Sequence, residues 1–108
     1  MKPLILEQAD HDTVLKILRQ RIPDRIVWVF GSRAGSKARK YSDLDLVVVG
    51  SEPIPDDIFD RLVDDFDDSE LPFRVDLLDW NRIADSFKPS ILEHHVELTT
   101  ASPNTKKE

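Results

Sequence analysis

There is no cysteine in this chain, which excludes a disulfide framework and a thiolate metal site. No apolar run approaches the ~18–20 residues of a membrane span. The opening segment MKPLILEQADHD has no long apolar core followed by small residues, so it does not read as a signal peptide. Positive charge is in short supply. Fifteen Lys and Arg stand against 21 Asp and Glu, for a net charge of −6, and a broad nucleic-acid-binding surface would be basic. These absences predict a soluble cytoplasmic protein with no direct nucleic-acid partner and no membrane contact. The 108 residues suffice for one domain with one modest core. No internal repeat, linker or second domain is apparent.

Helices and strands alternate along the chain. Val14, Leu15, Ile17, Leu18 and Ile22 recur at helical spacing, predicting a helix that runs from an Asp10 or Asp12 cap to about Arg21 and stops at Pro23-Asp24. The nearly continuous apolar run Arg25 to Phe30 suits a strand buried on both faces. Arg33 to Ala38 reads as a short helix or turn, and Asp43 to Val49 as a second strand, with Leu44, Leu46 and Val48 facing away from its acids. Ile58, Phe59, Leu62, Val63 and Phe66 mark an amphipathic helix from about Pro55 to Phe66. Phe73 to Trp80 reads as a third strand. Short helical pieces follow at Arg82 to Phe87 and Pro89 to His94, then a small strand at Val96 to Thr99. The predicted domain spans residues 1–99, and the polar residues 100–108 are expected to be a disordered tail. The expected class is a compact α/β (α+β) domain: a mixed sheet of about 3–4 strands with helices mainly on one face.

The chemistry is concentrated in GSRAGSKARKYSDLDL. Gly31-Ser32 leaves an apolar strand, and Asp43 and Asp45 open the next one. Residues i and i+2 of a strand share a face, roughly 6–7 Å apart along it, so the two carboxylates are placed to hold divalent cations. Asp76 lies inside the apolar third strand, where a carboxylate is costly unless hydrogen-bonded, paired or metal-bound. If that strand lies beside the second, Asp43, Asp45 and Asp76 converge. Asp79 competes for the third place but falls on the opposite face, near the strand end, where a turn or capping role suits it. Nucleotidyl transfer breaks the bond between the α- and β-phosphates of a nucleoside triphosphate. Two cations about 4 Å apart stabilise both the attacking and the leaving oxygens, and magnesium takes hard oxygen ligands and usually enters with the substrate phosphates. Asp76 is also placed to draw the acceptor's proton. Ser32 and nearby backbone N–H groups suit the terminal phosphates, and Arg33 adds a guanidinium.

The segment Gly31-Ser32-x10-Asp43-x-Asp45 resembles the signature of the minimal nucleotidyltransferase family, within the DNA polymerase β-like nucleotidyltransferase superfamily. The preceding VWVF, Arg33-Ala34, Ala38-Arg39, Ser42 and the later VDLLDW resemble it too, and the likeness covers roughly residues 10–98. The resemblance implies a polymerase β-like fold and nucleotide binding at Gly31, Ser32, Arg33 and Ser42. It implies catalytic carboxylates at Asp43, Asp45 and Asp76 holding Mg2+, expected as two ions, with ATP as substrate. Members are often antitoxins paired with a HEPN-type RNase toxin, whose tyrosine they modify with AMP. One departure stands out: where members carry a basic residue and then Gly, this chain has Gly35-Ser36, and Lys37, Arg39 and Lys40 are the candidates to compensate, or simply a solvated basic loop.

Plainer readings stand beside these. Ser32 could be only a helix cap. His94 and His95 read as surface or capping residues, His11 carries no signal, and Trp28 and Trp80 read as core that could border a base. Tyr41 beside the motif reads as packing, with stacking or self-modification as the alternatives. The acids from Asp56 to Glu70 read as a solvated helix face or as a field that steers a basic partner. Two other functions remain open: a module that neutralises its partner by contact, and a nucleotidyltransferase acting on a small molecule. An exposed sheet edge would leave a homodimer or a hetero-oligomer with the toxin open.

Overall fold

The computed structural model describes residues 6–34 and 42–98. Three helices and four strands alternate in the order α1 (Gln8–Arg21), β1 (Ile26–Phe30), β2 (Leu44–Val49), α2 (Asp56–Asp67), β3 (Val75–Asp79), α3 (Lys88–Glu93) and β4 (His95–Glu97). Two 3-10 turns, Gly31–Ala34 and Asp85–Phe87, follow β1 and precede α3. The strands form one mixed sheet in the order β3-β2-β1-β4. β1 runs antiparallel to both β2 and β4, whereas β2 and β3 are parallel. A parallel pair needs a crossover, and α2 supplies it.

Helices α1 and α2 lie on one face of the sheet. Val14 and Leu18 from α1, Leu62 from α2, Val27 and Val29 from β1, and Leu44, Leu46 and Val48 from β2 are fully buried together. Burying one such side chain contributes about 1.5–3 kcal/mol, so this face fixes the register of the sheet. A one-residue slip of β2 would turn three buried aliphatics outward. The mixed sheet with helices mainly on one face is therefore as expected.

Several details differ from expectation. β1 is buried on one face only: Val27 and Val29 are enclosed, while Trp28 and Phe30 are half-buried and Ile26 is exposed. The two-sided apolar run reflects an aromatic second face, on which Trp28 meets Trp80 and His95 and Phe30 meets Phe87, not a second helical layer. Trp28 and Trp80 meet edge to face at 5.5 Å there. Helix α1 begins at Gln8, earlier than an Asp10 or Asp12 cap would place it; the N-cap is Glu7, with no side-chain capping bond. Gln8 instead donates to Asp12 one turn on, and Asp10 lies in the first turn. β3 is shorter than Phe73 to Trp80, and the last strand starts at His95 rather than Val96. Arg82 to Ala84 are not helical because Arg82 and its neighbours are turned around Asp79. The expected tail lies outside the described residues, as do Lys37, Arg39, Lys40, Tyr41 and the Gly35-Ser36 departure. Among the described residues no helix is long and apolar enough to cross a membrane.

Candidate functional site

The sheet register brings two of the predicted carboxylates together. Asp45 of β2 pairs directly with Asp76 of β3. Paired residues on adjacent strands project from the same face, and this face is the one opposite α1 and α2. The Asp76 carboxyl is close enough to act on Asp45 through its charge and as a hydrogen-bond partner. The Asp45 carboxyl is pushed up to about 6, first by burial, then by the charges of Asp76 and Asp43, and by that hydrogen bond. A cation would relieve this repulsion, and two carboxylates offer the hard oxygen donors that magnesium takes.

Asp43 stands apart from the pair. It precedes β2, is exposed, and acts on Asp45 through its charge. Among the described residues no three carboxylate or imidazole groups are gathered into a ready-made metal cage. Two fixed carboxylates with a third at the rim fit a cation that arrives bound to phosphate better than one held by protein alone.

Gly31 closes the site from the side. Its φ is +73°, a left-handed value that favours glycine. A Cβ at Gly31 would collide with Oδ2 of Asp45, so the turn leaving β1 lies directly against the carboxylate. The register explains the meeting: Phe30, just before Gly31, pairs with Asp45 across the β1–β2 ladder. Ser32 lies in the same turn.

Arg33 is not brought to the carboxylates. It is buried, its Nε donates to the Ser42 carbonyl at 3.0 Å, and its guanidinium lies over the Phe73 ring at 4.3 Å. Burial lowers its pKa, opposed by the charge of Asp10 on α1. Phe73 packs against the helical core, so Arg33 ties the two ends of the 33–42 segment to that side. Ser42 contributes its backbone carbonyl to this tie. The expected guanidinium for phosphate is thus used as a brace, because a planar cation over an aromatic ring can be buried at modest cost.

Asp79 is fully enclosed and serves the fold. Its carboxylate accepts from the backbone N–H of Ile54 at 2.8 Å and of Asn81 at 3.0 Å, and it meets Arg82 Nε at 3.4 Å. Of the two β3 acids, Asp76 faces Asp45 and Asp79 caps the opposite face. His95 behaves as a capping residue: its Nδ1 lies 2.9 Å from the Ile91 carbonyl, and its ring packs on Trp28. One neighbour escaped the sequence reading. Arg74 Nε lies 3.8 Å from Asp76 Oδ1, an exposed ion pair that the i, i+2 spacing could have flagged.

Comparison with known proteins follows the same lines. The nucleotidyltransferase domain family model matches residues 11–98. The chain is 44% identical over 104 residues to a Haemophilus influenzae protein named "Probable protein adenylyltransferase MntA", covering 96% of this chain and 91% of that one. Among solved structures, a chain of a toxin-antitoxin crystal structure with AMP-PNP superposes with a TM-score of 0.69 at 22% identity, covering 83% of this chain and 73% of that one. A chain from the complex of tri-AMPylated Shewanella oneidensis HEPN toxin with MNT antitoxin superposes at 0.66 and 21% identity, covering 87% and 72%. At these identities the superpositions establish the fold.

Proposed function

The chain belongs to the nucleotidyltransferase domain family, and on that premise we propose that it is a protein adenylyltransferase that moves AMP from ATP to a tyrosine hydroxyl of a HEPN-type toxin in the cytoplasm. The observation that carries this reading is the Asp45–Asp76 pair set against the Gly31 turn. The 44% identity to a protein named as an adenylyltransferase supports the same activity, and the fold shared with toxin-antitoxin complexes supports the partner.

In this reading Asp43, Asp45 and Asp76 hold Mg2+, expected as two ions, that enter with ATP. When bound, the cations neutralise the pyrophosphate leaving group and polarise the α-phosphate. Gly31 lets the turn approach closely enough for its N–H groups, with Ser32, to meet the terminal phosphates. The acceptor oxygen attacks the α-phosphorus in line, the bond to the β-phosphate bridging oxygen breaks, and pyrophosphate leaves. Asp76, which is half-exposed, takes the phenol proton in this reading. Arg33 holds the Ser42 carbonyl, one residue before Asp43.

The test is intact mass spectrometry of the co-expressed partner protein with wild-type chain and with an Asp43→Asn/Asp45→Asn variant. A gain of one or more AMP masses with wild type alone is the expected result. No mass change, together with a stable complex and retained neutralisation, would replace the reading with inhibition by contact.

A further inference from the structure

The carboxylate pair is one end of a longer row. Asp76 pairs with Asp45, Asp45 with Phe30, and Phe30 with His95, so these four residues cross all four strands on one face. The row is acidic at the β3 end and aromatic at the β4 end. At the aromatic end Phe87 stands over Phe30, with ring centroids 5.9 Å apart and planes at 81°. Phe87 is nevertheless 40% exposed, the one exposed Phe or Trp among the described residues. An edge-to-face contact fixes such a ring but leaves one of its sides to solvent. His95 is already engaged by Ile91 and Trp28, so it serves the scaffold beneath.

We propose that Phe87 is the stacking surface for the base of the nucleotide that is cleaved at Asp45 and Asp76. The inference rests on the nucleotidyl-transfer reading and names the residue that holds the nucleoside. The terminal phosphates belong at the Gly31-Ser32 turn, beyond the end of β1. The α-phosphate belongs at the carboxylate pair on β2 and β3. From the carboxylate pair the nucleoside turns back across the strand that carries Phe30, which shares a face with Asp45. Neighbouring strands lie about 4.8 Å apart, so Phe30 is one strand from Asp45, and the Phe87 ring meets the Phe30 ring edge to face. Base-on-aromatic stacking tolerates any base, because every base has a π-face. Phe87 therefore contributes affinity for the nucleoside rather than discrimination among bases.

The experiment is calorimetric titration of the full chain with AMP-PNP and, separately, with inorganic tripolyphosphate, both with Mg2+. Phe87→Ala is expected to weaken AMP-PNP binding by about tenfold or more, in line with the known cost of removing one stacking ring. Tripolyphosphate binding should stay within about twofold, since it has no base to stack. Phe87→Trp should restore AMP-PNP binding, and Leu92→Ser, at an exposed site on the same segment, should leave it unchanged. Wild-type affinity for AMP-PNP in Phe87→Ala would overturn the proposal. So would an equal loss of both ligands, or an unchanged AMP-PNP affinity with a raised KM for the acceptor protein, which would assign Phe87 to the acceptor. Wild-type chain that binds neither ligand would instead bring down the nucleotidyl-transfer reading itself.

Discussion

Asp45 and Asp76 are forced together by the pairing of β2 with β3. In the proposed mechanism, removing either charge would take away a cation ligand, and cation stabilisation of the transition state is worth several kcal/mol. Asp45→Asn or Asp76→Asn should therefore lower AMP transfer by at least ~10³-fold, measured as the rate of AMP incorporation into the partner. Gly31 is under a different constraint. Gly31→Ala forces a Cβ into a left-handed backbone and against the Asp45 carboxylate. It should cost about 1–2 kcal/mol of stability and displace Asp45, so that a denaturant midpoint and the transfer rate both fall. Asp76 and Asp79 show how little residue type alone decides. Both are acids of one short strand, yet one faces another carboxylate and the other is enclosed by backbone donors.

Asp79 acts at the scale of elements, because it fastens the end of β3 to the segment entering α2. Asp79→Ala leaves the N–H groups of Ile54 and Asn81 without their acceptor and Arg82 without one of its two ionic partners. The expected cost is about 3 kcal/mol in equilibrium unfolding, while the folded fraction keeps its transfer rate. Helices α1 and α2 are joined by Arg21 and Asp65, whose Nε and Oδ2 are 2.8 Å apart. Arg21 holds the Asp65 carboxyl below the usual carboxylate range, mainly through that hydrogen bond. A depressed carboxyl stabilises the fold above its unfolded pKa and loses that effect as pH falls through its folded value. The coupling in an Arg21→Ala/Asp65→Ala double-mutant cycle should therefore be present at neutral pH and vanish in acid.

For the molecule as a whole, the carboxylate pair and the Arg21–Asp65 ion pair make opposite demands on pH. Asp45 titrates near 6 in the folded protein against 3.8 when unperturbed. A raised carboxyl costs nothing below its unfolded pKa, and its cost grows as pH rises from about 4 to 6 and then levels off. The metal-free protein should therefore lose stability across that interval, by about 1–2 kcal/mol once solvent screening at this half-exposed site is allowed for. Asp45→Asn should remove the loss, as read by unfolding midpoints in a chelator between pH 4 and 8. A ligand that binds only the folded state at 100 times its Kd adds ~2.7 kcal/mol. Mg2+ with AMP-PNP should raise the wild-type midpoint accordingly and leave an Asp45→Asn/Asp76→Asn variant unmoved.

Much of this was written in the chain itself. The period-3.6 apolar stripes of α1 and α2 and the alternation of Leu44, Leu46 and Val48 determined which faces are buried, because burial is the largest favourable term and depends on local spacing. The Gly31-Ser32 and Asp43/Asp45 spacing marked the family for the same reason: a turn and a strand start are local. What sequence could not decide is who meets whom across strands. The choice of Asp76 over Asp79 followed from strand alternation, but that β3 lies beside β2, that Phe30 and His95 continue the row, and that Arg33 turns inward onto Phe73 all depend on the register of β1, β2 and β3. Register is set by the fit of the two buried layers, a property of residues distant in the chain, and it brings the carboxylates together only when the sheet has closed over its helices.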